Sequence, residues 1–350
     1  MTKIHPRLAC ALPPTTAITD HAIHAERLGY HRLWLFDAPA LYGDLWVALT
    51  RAATSTARIA LAAGVAVPGL RHPMVTASAA ASIAEIAPGR LTVAFGAGQI
   101  GRRTLGRPPV RVAALAREVR QVRSLLAGEV VEIDGKPCQL LQLPDAGPAR
   151  PIDVPVWMAA DGPRMSAAAR EIGVPGVLVT SEPTDPYREV ALLRFGTVLR
   201  PGEDHRSARV IEAAGPGWAF IAHSAWQQAG IAVDGFPGGK HWRNTIEGLR
   251  PENERHLAVY EGHLSLLTDR DRDLVVTAGP ALMGAGWVGS PAGIHAHITT
   301  AAAAGVTEIV YLPCGPDIVG ELEAFAEVFH GCVSPGGGTE LGDGAGVAIH

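Results

Sequence analysis

The chain has 350 residues, of which 47% are hydrophobic, 18% are charged and 5% are aromatic, and its formal net charge is −4. A single core usually stops growing at about 250 to 300 residues, so this length suits one large α/β barrel or two smaller domains. The slightly negative charge argues against nucleic acid as the main partner, because phosphate-backbone binding needs a basic surface.

The spacing of the cysteines and the N-terminal sequence indicate the cellular compartment of the protein. Cys10, Cys138, Cys314 and Cys332 lie far apart and form no C-x-x-C pair, so we expect buried apolar residues of a reducing cytosol. No basic segment followed by an apolar one begins at Met1, and no apolar run approaches the roughly 20 residues of a membrane span. The sequence therefore predicts a soluble, cytoplasmic protein without a membrane partner.

A strand followed by a helix recurs four times in the first 128 residues. The predicted strands are RLACAL, HRLWLFDA, RIALAAGVAVP and RLTVAFGAG. Asp44 is the expected N-cap of the second helix. Pro73 and Gly89 suit the start and the end of the third, because proline is tolerated at a first helical position and glycine follows the last.

The pattern changes after residue 128. Asp134-Gly135 separates two short β-prone runs, which predicts a hairpin insertion at about 128–143. The alternation resumes with the strand VPVWMAADG, the helix PRMSAAAREIG and the strand GVLVT. The region at about 185–275 is irregular, with GWAFIAH as a possible strand and a loop at 237–239.

Strands and helices can again be predicted near the C-terminus. Ser290 and Pro291 begin a helix, EIVYLPCG follows as a strand, and DIVGELEAFAEVF is the last helix. The Gly-rich tail of 333–350 is expected to be disordered.

Strands that alternate with helices along the whole chain imply a parallel sheet. Close to eight units at this length favour an α/β fold of the closed (β/α)8 TIM-barrel type with insertions, in one domain over residues 1–332. An open doubly wound sheet remains the alternative. No G-x-G-x-x-G follows the first strand, which disfavours ordinary dinucleotide binding.

In a barrel of this type, function lies at the C-terminal ends of the strands. Glycine and alanine dominate those ends here, which would let a flat ligand lie against the backbone; the alternative is that each glycine merely turns a strand into a loop. The sequence DGPR places Gly162, Pro163 and Arg164 at a helix start, where free N–H groups could hold a phosphate or where the helix is simply capped.

A second candidate is the segment RHLAVYEGHLSLL. Its His256, Tyr260 and His263 share one face if the segment is helical, so they could donate protons at a site, or they could form a half-exposed surface. Their spacing disfavours zinc. Four other histidines, His21, His24, His295 and His297, are expected to be structural or solvent-facing.

The order of four motifs resembles the luciferase-like superfamily, in particular its branch that uses the deazaflavin coenzyme F420. These motifs are RLWLFDAP, the run from ARIALAAGVAVPGLRHP to PGRLTVAFGAG, VPVWMAADGP and AAAAGVTEIVYLPCGPDIVGELEAFA. The resemblance covers most of residues 5–330 and is weakest at about 185–250. It discriminates poorly between FMN and the deazaflavin.

The resemblance implies a TIM barrel with an isoalloxazine-like ring at the strand ends. It implies a bulge in the third strand with a non-prolyl cis peptide at Gly64–Val65, and a phosphate group near the helix after the fifth. A leucine at Gly64 is therefore expected to fill the ring site and leave the fold intact. The residues expected to contact the cofactor are Asp37, Gly64, Val65, Ala97, Gly98, Gln99, Ala160, Gly162, Pro163 and Arg164.

Two departures from that resemblance bear on the chemistry. Related dehydrogenases often carry a histidine after the second-strand aspartate and an acidic residue after the fourth-strand G-x-G, where this chain has Ala38 and Gln99. Sugar phosphate oxidation, which needs a base, is therefore disfavoured. We expect a reduction, with a proton from water, Tyr42, His256 or His263.

Three functions follow from these expectations. The first is transfer of a hydride from reduced F420 to a C=C or C=N bond of a small organic substrate. The second is a two-component FMN-dependent monooxygenase, fed by a separate flavin or F420 reductase. The third is a non-catalytic flavin-binding protein. The Ala-rich early helices favour a homodimer.

Overall fold

Eight parallel strands close into a barrel within residues 5–143, 145–183 and 185–331, which the computed structural model describes. Numbered in chain order, the barrel strands are β1 (Arg7–Leu12), β2 (Arg32–Leu35), β3 (Ala60–Ala66), β4 (Leu91–Phe95), β7 (Val156–Ala159), β8 (Gly176–Val179), β9 (Glu189–Val198) and β11 (Glu308–Leu312). Each pairs with the next in that order, and β11 pairs with β1. The closed barrel confirms the predicted fold, and the open doubly wound sheet is wrong.

Helices surround the barrel. Those close to it are α1 (Ile18–Arg27), α2 (Leu45–Ser55), α3 (Pro73–Ile86), α4 (Val112–Ala127), α5 (Pro163–Ile172), α11 (Pro291–Ala303) and α12 (Ile318–Gly331). The predicted starts are observed: Asp44 accepts hydrogen bonds from the backbone N–H groups at the start of α2, and Pro73 and Pro291 open α3 and α11. The predicted hairpin is the antiparallel pair β5 (Val131–Ile133) and β6 (Lys136–Cys138).

The barrel interior is filled by two tryptophans. Trp34 and Trp157 lie with their ring centroids 5.7 Å apart, and both are buried. Five alanines from four strands surround them and leave the volume that these large rings need. They are Ala9, Ala11, Ala62, Ala94 and Ala191. The interior is therefore a packed core, and ligands must bind at its mouth.

Charged residues close the opposite end of the barrel. Arg7, Arg32, Glu189 and Glu308 each begin a strand, and Glu308 is fully buried. Its carboxylate accepts hydrogen bonds from Arg32 and from the indole of Trp34, both at 2.7 Å. This polar cluster lies at the N-terminal face, which in such barrels contributes to stability rather than to catalysis.

Residues 199–286 form a helical insert between β9 and β10 (Trp287–Gly289), a short strand that extends the sheet beside β9. The insert contains α6 (Ala208–Gln228), α7 (Gly239–Leu249), α8 (Arg255–Val259), α9 (Asp269–Ala278) and α10 (Pro280–Met283). It has a second hydrophobic core that includes Trp218 and Trp242. The irregular region predicted at about 185–275 is therefore largely helical.

The possible strand GWAFIAH is wrong, because these residues lie inside α6. Gly215, Pro216 and Gly217, at and just before its start, argue against a helix in the sequence. A Cβ at Gly215 would lie 2.7 Å from Leu267, and one at Gly217 would lie 2.2 Å from Phe195. Glycine therefore permits close packing of α6 on its neighbours, and tertiary contacts outweigh local propensity.

The described residues also bear on the sequence-based expectations about cysteines and membranes. Cys10 and Cys314 are buried and Cys138 is half-buried, each as a free thiol. Cys332 and the predicted disordered tail lie outside the described residues. Among the described residues, none of the helices combines the length and the apolar composition that a membrane span requires.

Candidate functional site

Most of the predicted cofactor residues lie at the C-terminal ends of β3, β4 and β7, which are neighbours in the sheet. Parallel pairing places Gly64 opposite Ala94, and Phe95 opposite Met158. The small residues at or just after these ends form what we call the glycine-alanine edge. Its members are Gly64, Ala97, Gly98, Ala160 and Gly162.

The end of β3 has the predicted bulge. Its pairing with β4 shifts between Gly64 and Ala66, and the Gly64–Val65 peptide bond is cis. A Cβ at Gly64 would lie 2.7 Å from Cε3 of Trp34, inside the barrel. This contact argues against the expectation that leucine at Gly64 leaves the fold intact, because its side chain would have to displace a buried tryptophan.

Asp37 follows β2 and connects the loop after β2 with the loop after β3. Its carboxylate accepts hydrogen bonds from the N–H of Val67 at 3.2 Å and from Arg71 at 2.8 Å, and Arg71 also bonds Asp44. Burial raises the pKa of the Asp37 carboxyl, and the hydrogen bonds from Arg71 oppose that rise. Both carboxylate oxygens are thus engaged in holding these loops together, and no sequence pattern indicated Arg71 as the partner.

The loop after β4 packs tightly on the loop after β3. Gly98 has φ +79°, and a Cβ there would lie 2.4 Å from Val67. Only glycine meets both requirements. Gln99 is exposed and accepts a hydrogen bond from Arg103 at 3.3 Å. Ala97 accepts one from the N–H of Val110 through its carbonyl.

The N-terminus of α5 is open. Gly162, with φ +79°, precedes Pro163, and no side chain of the described residues caps this helix. A Cβ at Gly162 would meet no atom within 4 Å, and Arg164 is exposed beside it. Ala160 ties this end to β8 through a backbone bond to Leu178. Free N–H groups and a neighbouring guanidinium can together bind an anion.

The segment 262–266 of the helical insert lies over the barrel mouth. The hydroxyl of Tyr42 donates a 2.6 Å hydrogen bond to the carbonyl of His263. Leu264 and Val65 both pack against the hydrophobic cluster inside the barrel. Burial raises the pKa of the Tyr42 phenol. Tyr42 therefore anchors the segment, and it brings His263 to the same end of the barrel as the glycine-alanine edge.

The predicted helical face of His256, Tyr260 and His263 is wrong. Helix α8 ends at Val259, and the chain then turns through Gly262 and Leu264, both with positive φ. His256 is half-buried, and its imidazole would be 3.3 Å from a Cβ at Gly106 in the loop after β4.

His263 instead points into the helical insert, where it is 3% exposed and lies against His223 of α6. His223 in turn lies against Asp271 of α9. Neither partner was predicted from the sequence. A histidine within the apolar run AFIAHSAW was the available signal for His223, whereas Asp271 is hidden in the charged run DRDRD. The other four histidines are exposed or half-buried on α1 and α11, as expected.

Two clefts open beside these loops. One of about 610 Å³ is lined by Pro39, Asp44, Gly69, Leu70, Arg71, Leu105 and Arg107. The other, of about 370 Å³, includes Tyr42 in its wall. Gly64, Val65 and Gly98 line neither of these two clefts.

Comparison with known proteins adds a family assignment. The model of the luciferase-like monooxygenase family matches residues 2–308. A 5,10-methylenetetrahydromethanopterin reductase of Methanolobus tindarius is 33% identical over 178 residues, which are 49% of this chain and 52% of that protein. An F420-dependent glucose-6-phosphate dehydrogenase of Beutenbergia cavernae is 32% identical over 210 residues, 52% of this chain and 60% of that protein. The chain thus spans between about half and three fifths of the length of these relatives.

Solved structures share the fold over nearly the whole chain. The coenzyme F420 dependent tetrahydromethanopterin reductase from Methanopyrus kandleri superposes with a TM-score of 0.62 at 23% identity, covering 92% of this chain and 98% of that one. A monooxygenase from Streptomyces bottropensis gives 0.58 at 17% identity, with 94% and 100% covered. Both likenesses concern the barrel with its insertions.

Proposed function

Because the chain belongs to the luciferase-like monooxygenase family, we propose that it is a flavin- or deazaflavin-dependent oxidoreductase. The finer proposal is that it uses reduced coenzyme F420 to reduce a C=C or C=N bond of a small organic molecule. The glycine-alanine edge carries the proposal, since three neighbouring strand ends there present backbone without large side chains.

The residues at this edge fit such a cofactor in two respects. A flat ring needs a wall from which side chains do not project, and the glycines and alanines supply one. A phosphate group needs hydrogen-bond donors and positive charge, which the open N-terminus of α5 and Arg164 supply. When bound and reduced, the cofactor supplies a hydride, while the protein orients the substrate and handles the proton.

The named relatives support F420 over FMN. The reductase and the dehydrogenase that resemble this chain at 33% and 32% identity are, by name, a methylenetetrahydromethanopterin reductase and an F420-dependent enzyme. The fold itself does not discriminate, because structures of FMN-containing proteins share it as well.

The hydrogen bonding of Asp37 and the chemistry of Gln99 favour reduction of a substrate over oxidation of an alcohol. Oxidation of an alcohol needs a base that accepts the hydroxyl proton. Asp37 is bound by Arg71 and Val67, and Gln99 is not a base. Reduction instead needs a proton donor, and we propose His263 for this role, with His256 as a second polar group near the loop after β4. Tyr42 positions the segment through the carbonyl of His263.

Titration of the purified protein with each cofactor tests the proposal. The fluorescence of F420 should change when it binds, and its Kd should be below that of FMN. The reduced form should be oxidised when a suitable unsaturated substrate is added. Binding of FMN alone, with oxygen consumption on reduction, would replace the proposal by the monooxygenase. Binding of neither cofactor would refute both.

A further inference from the structure

The last inward-facing residues of the barrel strands surround the mouth in two unequal arcs. Residues two apart on a strand point to the same face, so these residues follow two positions after side chains buried in the barrel interior. On three neighbouring strands they are small: Gly64 of β3, Gly96 after β4 and Ala159 of β7. This small arc lies beside the glycine-alanine edge, to which the proposed function assigns a flat ring.

Larger apolar residues form the other arc. Phe36 directly follows β2, and Leu193 and Leu312 lie in β9 and β11; all three belong to or pack on the hydrophobic cluster inside the barrel. Pro13, directly after β1, completes the series. The strands β9, β11, β1 and β2 are neighbours, so these four residues form one continuous apolar arc. Pro13, Phe36 and Leu193 are half-buried, which leaves part of each side chain accessible at the mouth.

Two further apolar side chains reach the same place. A Cβ at Gly96 would lie 2.4 Å from Cγ2 of Val65, so the bulge of β3 packs its valine across the small arc. Leu264 of the helical insert packs on the cluster inside the barrel. Val65 and Leu264 are both half-buried. The mouth is therefore apolar on the side of the insert as well as on the side of the barrel.

The polar side chains around the mouth already have partners in the protein. The hydroxyl of Thr180, the residue that follows β8, donates to Oδ2 of Asp161 at 3.0 Å. The carboxylate of Asp37 accepts from Arg71 at 2.8 Å, and the hydroxyl of Tyr42 donates to a backbone carbonyl at 2.6 Å. Each of these groups would have to give up a protein partner in order to bind a charged ligand.

Two guanidinium groups lie near the mouth without an ion pair to another described residue. Arg194 points to the opposite face of β9 from Leu193 and donates to the carbonyl of Thr180. Arg103, in the loop after β4, donates to the side chain of Gln99 at 3.3 Å and to a backbone carbonyl of α6. The apolar arc itself carries no polar side chain. A charge placed on it would lose its hydration without gaining a partner.

We propose that the substrate is an uncharged, apolar molecule whose hydrophobic body lies on the apolar arc, with its double bond turned toward the small arc. Phe36 and Leu193 are then specificity-determining residues. The proposal rests on the proposed reduction and names its substrate class. In that reduction one atom of the double bond gains the hydride of the reduced cofactor and the other takes up a proton, so the substrate gains two hydrogens and the cofactor is oxidised. Apolar surface removed from water supplies the affinity.

Two compounds of nearly equal size test the proposal. Benzylideneacetone is an uncharged enone, and trans-cinnamate carries a carboxylate on the same styrene skeleton. Ligand-observed NMR titration of the cofactor-free protein with each compound gives both Kd values without turnover. We expect the enone to bind about 10-fold more tightly than cinnamate or better, because the carboxylate has no partner on the arc. Absence of enone binding, or cinnamate binding that is equally tight, would overturn the proposal.

Variants locate the binding on the apolar arc. Leu193→Lys places an ammonium group there, so it should weaken binding of the enone about 10-fold and strengthen binding of cinnamate, which reverses the preference. The matched control is Leu249→Lys at an exposed leucine of α7, which should change neither Kd. If circular dichroism shows that Leu193→Lys does not fold, Phe36→Ala replaces it and should weaken enone binding about 5-fold. An unchanged preference in the folded variant would overturn the proposal.

Binding and turnover together separate this proposal from the proposed function. Enone binding that depends on Leu193, in a protein that binds neither F420 nor FMN, would uphold the apolar site and refute the proposed function. Oxidation of reduced F420 by cinnamate but not by benzylideneacetone would uphold the function and refute the apolar substrate.

Discussion

Removal of the Glu308 carboxylate is the sharpest test of what stabilises the barrel. Glu308 begins β11 and is fully buried; Oε2 accepts from Nη1 of Arg32 and Oε1 accepts from Nε1 of Trp34, both at 2.7 Å. Arg7 of β1 lies 3.7 Å away. The guanidinium of Arg32 is also 5.1 Å from the ring centroid of Trp157, so the ion pair is packed against the aromatic filling of the barrel.

The magnitude follows from these contacts. Loss of one member of a buried ion pair costs about 3–5 kcal/mol, because the remaining charge stays buried without compensation. We therefore expect Glu308→Ala to lower the free energy of unfolding by about 3–5 kcal/mol. Glu308→Gln also leaves the charge of Arg32 uncompensated, but it keeps an acceptor for Trp34. Its loss of unfolding free energy should therefore be smaller, about 2–3 kcal/mol.

Urea unfolding followed by circular dichroism measures both losses. The matched control is Glu171→Gln, which breaks an exposed ion pair with Arg120 of 2.7 Å and should cost less than about 1 kcal/mol. A loss for Glu308→Ala no larger than that of the control would refute the reasoning, since it would show that the polar cluster at the N-terminal face does not stabilise the barrel.

Three further outcomes are expected. Gly64→Ala should lower the unfolding free energy by about 1–3 kcal/mol in thermal or urea unfolding, because its Cβ would lie 2.7 Å from Trp34; unchanged stability would refute that contact. Burial raises the pKa of Glu118 to about 7, so this group's contribution is full below pH 4.5 and is lost as the pH rises through 7. Glu118→Gln should remove a decline of roughly 1–2 kcal/mol between pH 5 and 8, and an identical decline in the variant would contradict the assignment. Arg164→Glu should weaken cofactor binding about 10-fold or more in a fluorescence titration, whereas Arg117→Glu on the exposed side of α4 should not; equal effects would exclude an anion site at α5.

The positions of the polar side chains were only partly predictable from the sequence. The placement of the glycine-alanine edge followed from the alternation of strands and helices, because parallel strand ends meet on one side of a barrel. Asp37 was correctly placed at that side, but its pairing with Arg71 depends on how two loops pack. The shared helical face of His256 and His263 was wrong, because Gly262 and Leu264 adopt positive φ and reverse the chain.

The helical insert shows the same division. Its longest helix, α6, contains Gly215-Pro216-Gly217, which local propensity assigns to a loop or a break. The helix persists because the two glycines allow Leu267 and Phe195 to approach its backbone. That packing buries His223 next to Asp271, so the pairing of these residues was not readable from either segment.

The resemblance implied the cis peptide at Gly64–Val65, whereas the sequence by itself favoured a barrel and placed small residues at the C-terminal ends of its strands, without identifying β9 (Glu189–Val198). These features follow from local periodicity, helix starts and glycine placement, which neighbouring residues specify. Only the tertiary structure decided that Trp34 lies beneath Gly64 and that His263, His223 and Asp271 form one buried chain. Such contacts join residues as far apart as α6 and α9, and they depend on side-chain packing that no local pattern encodes.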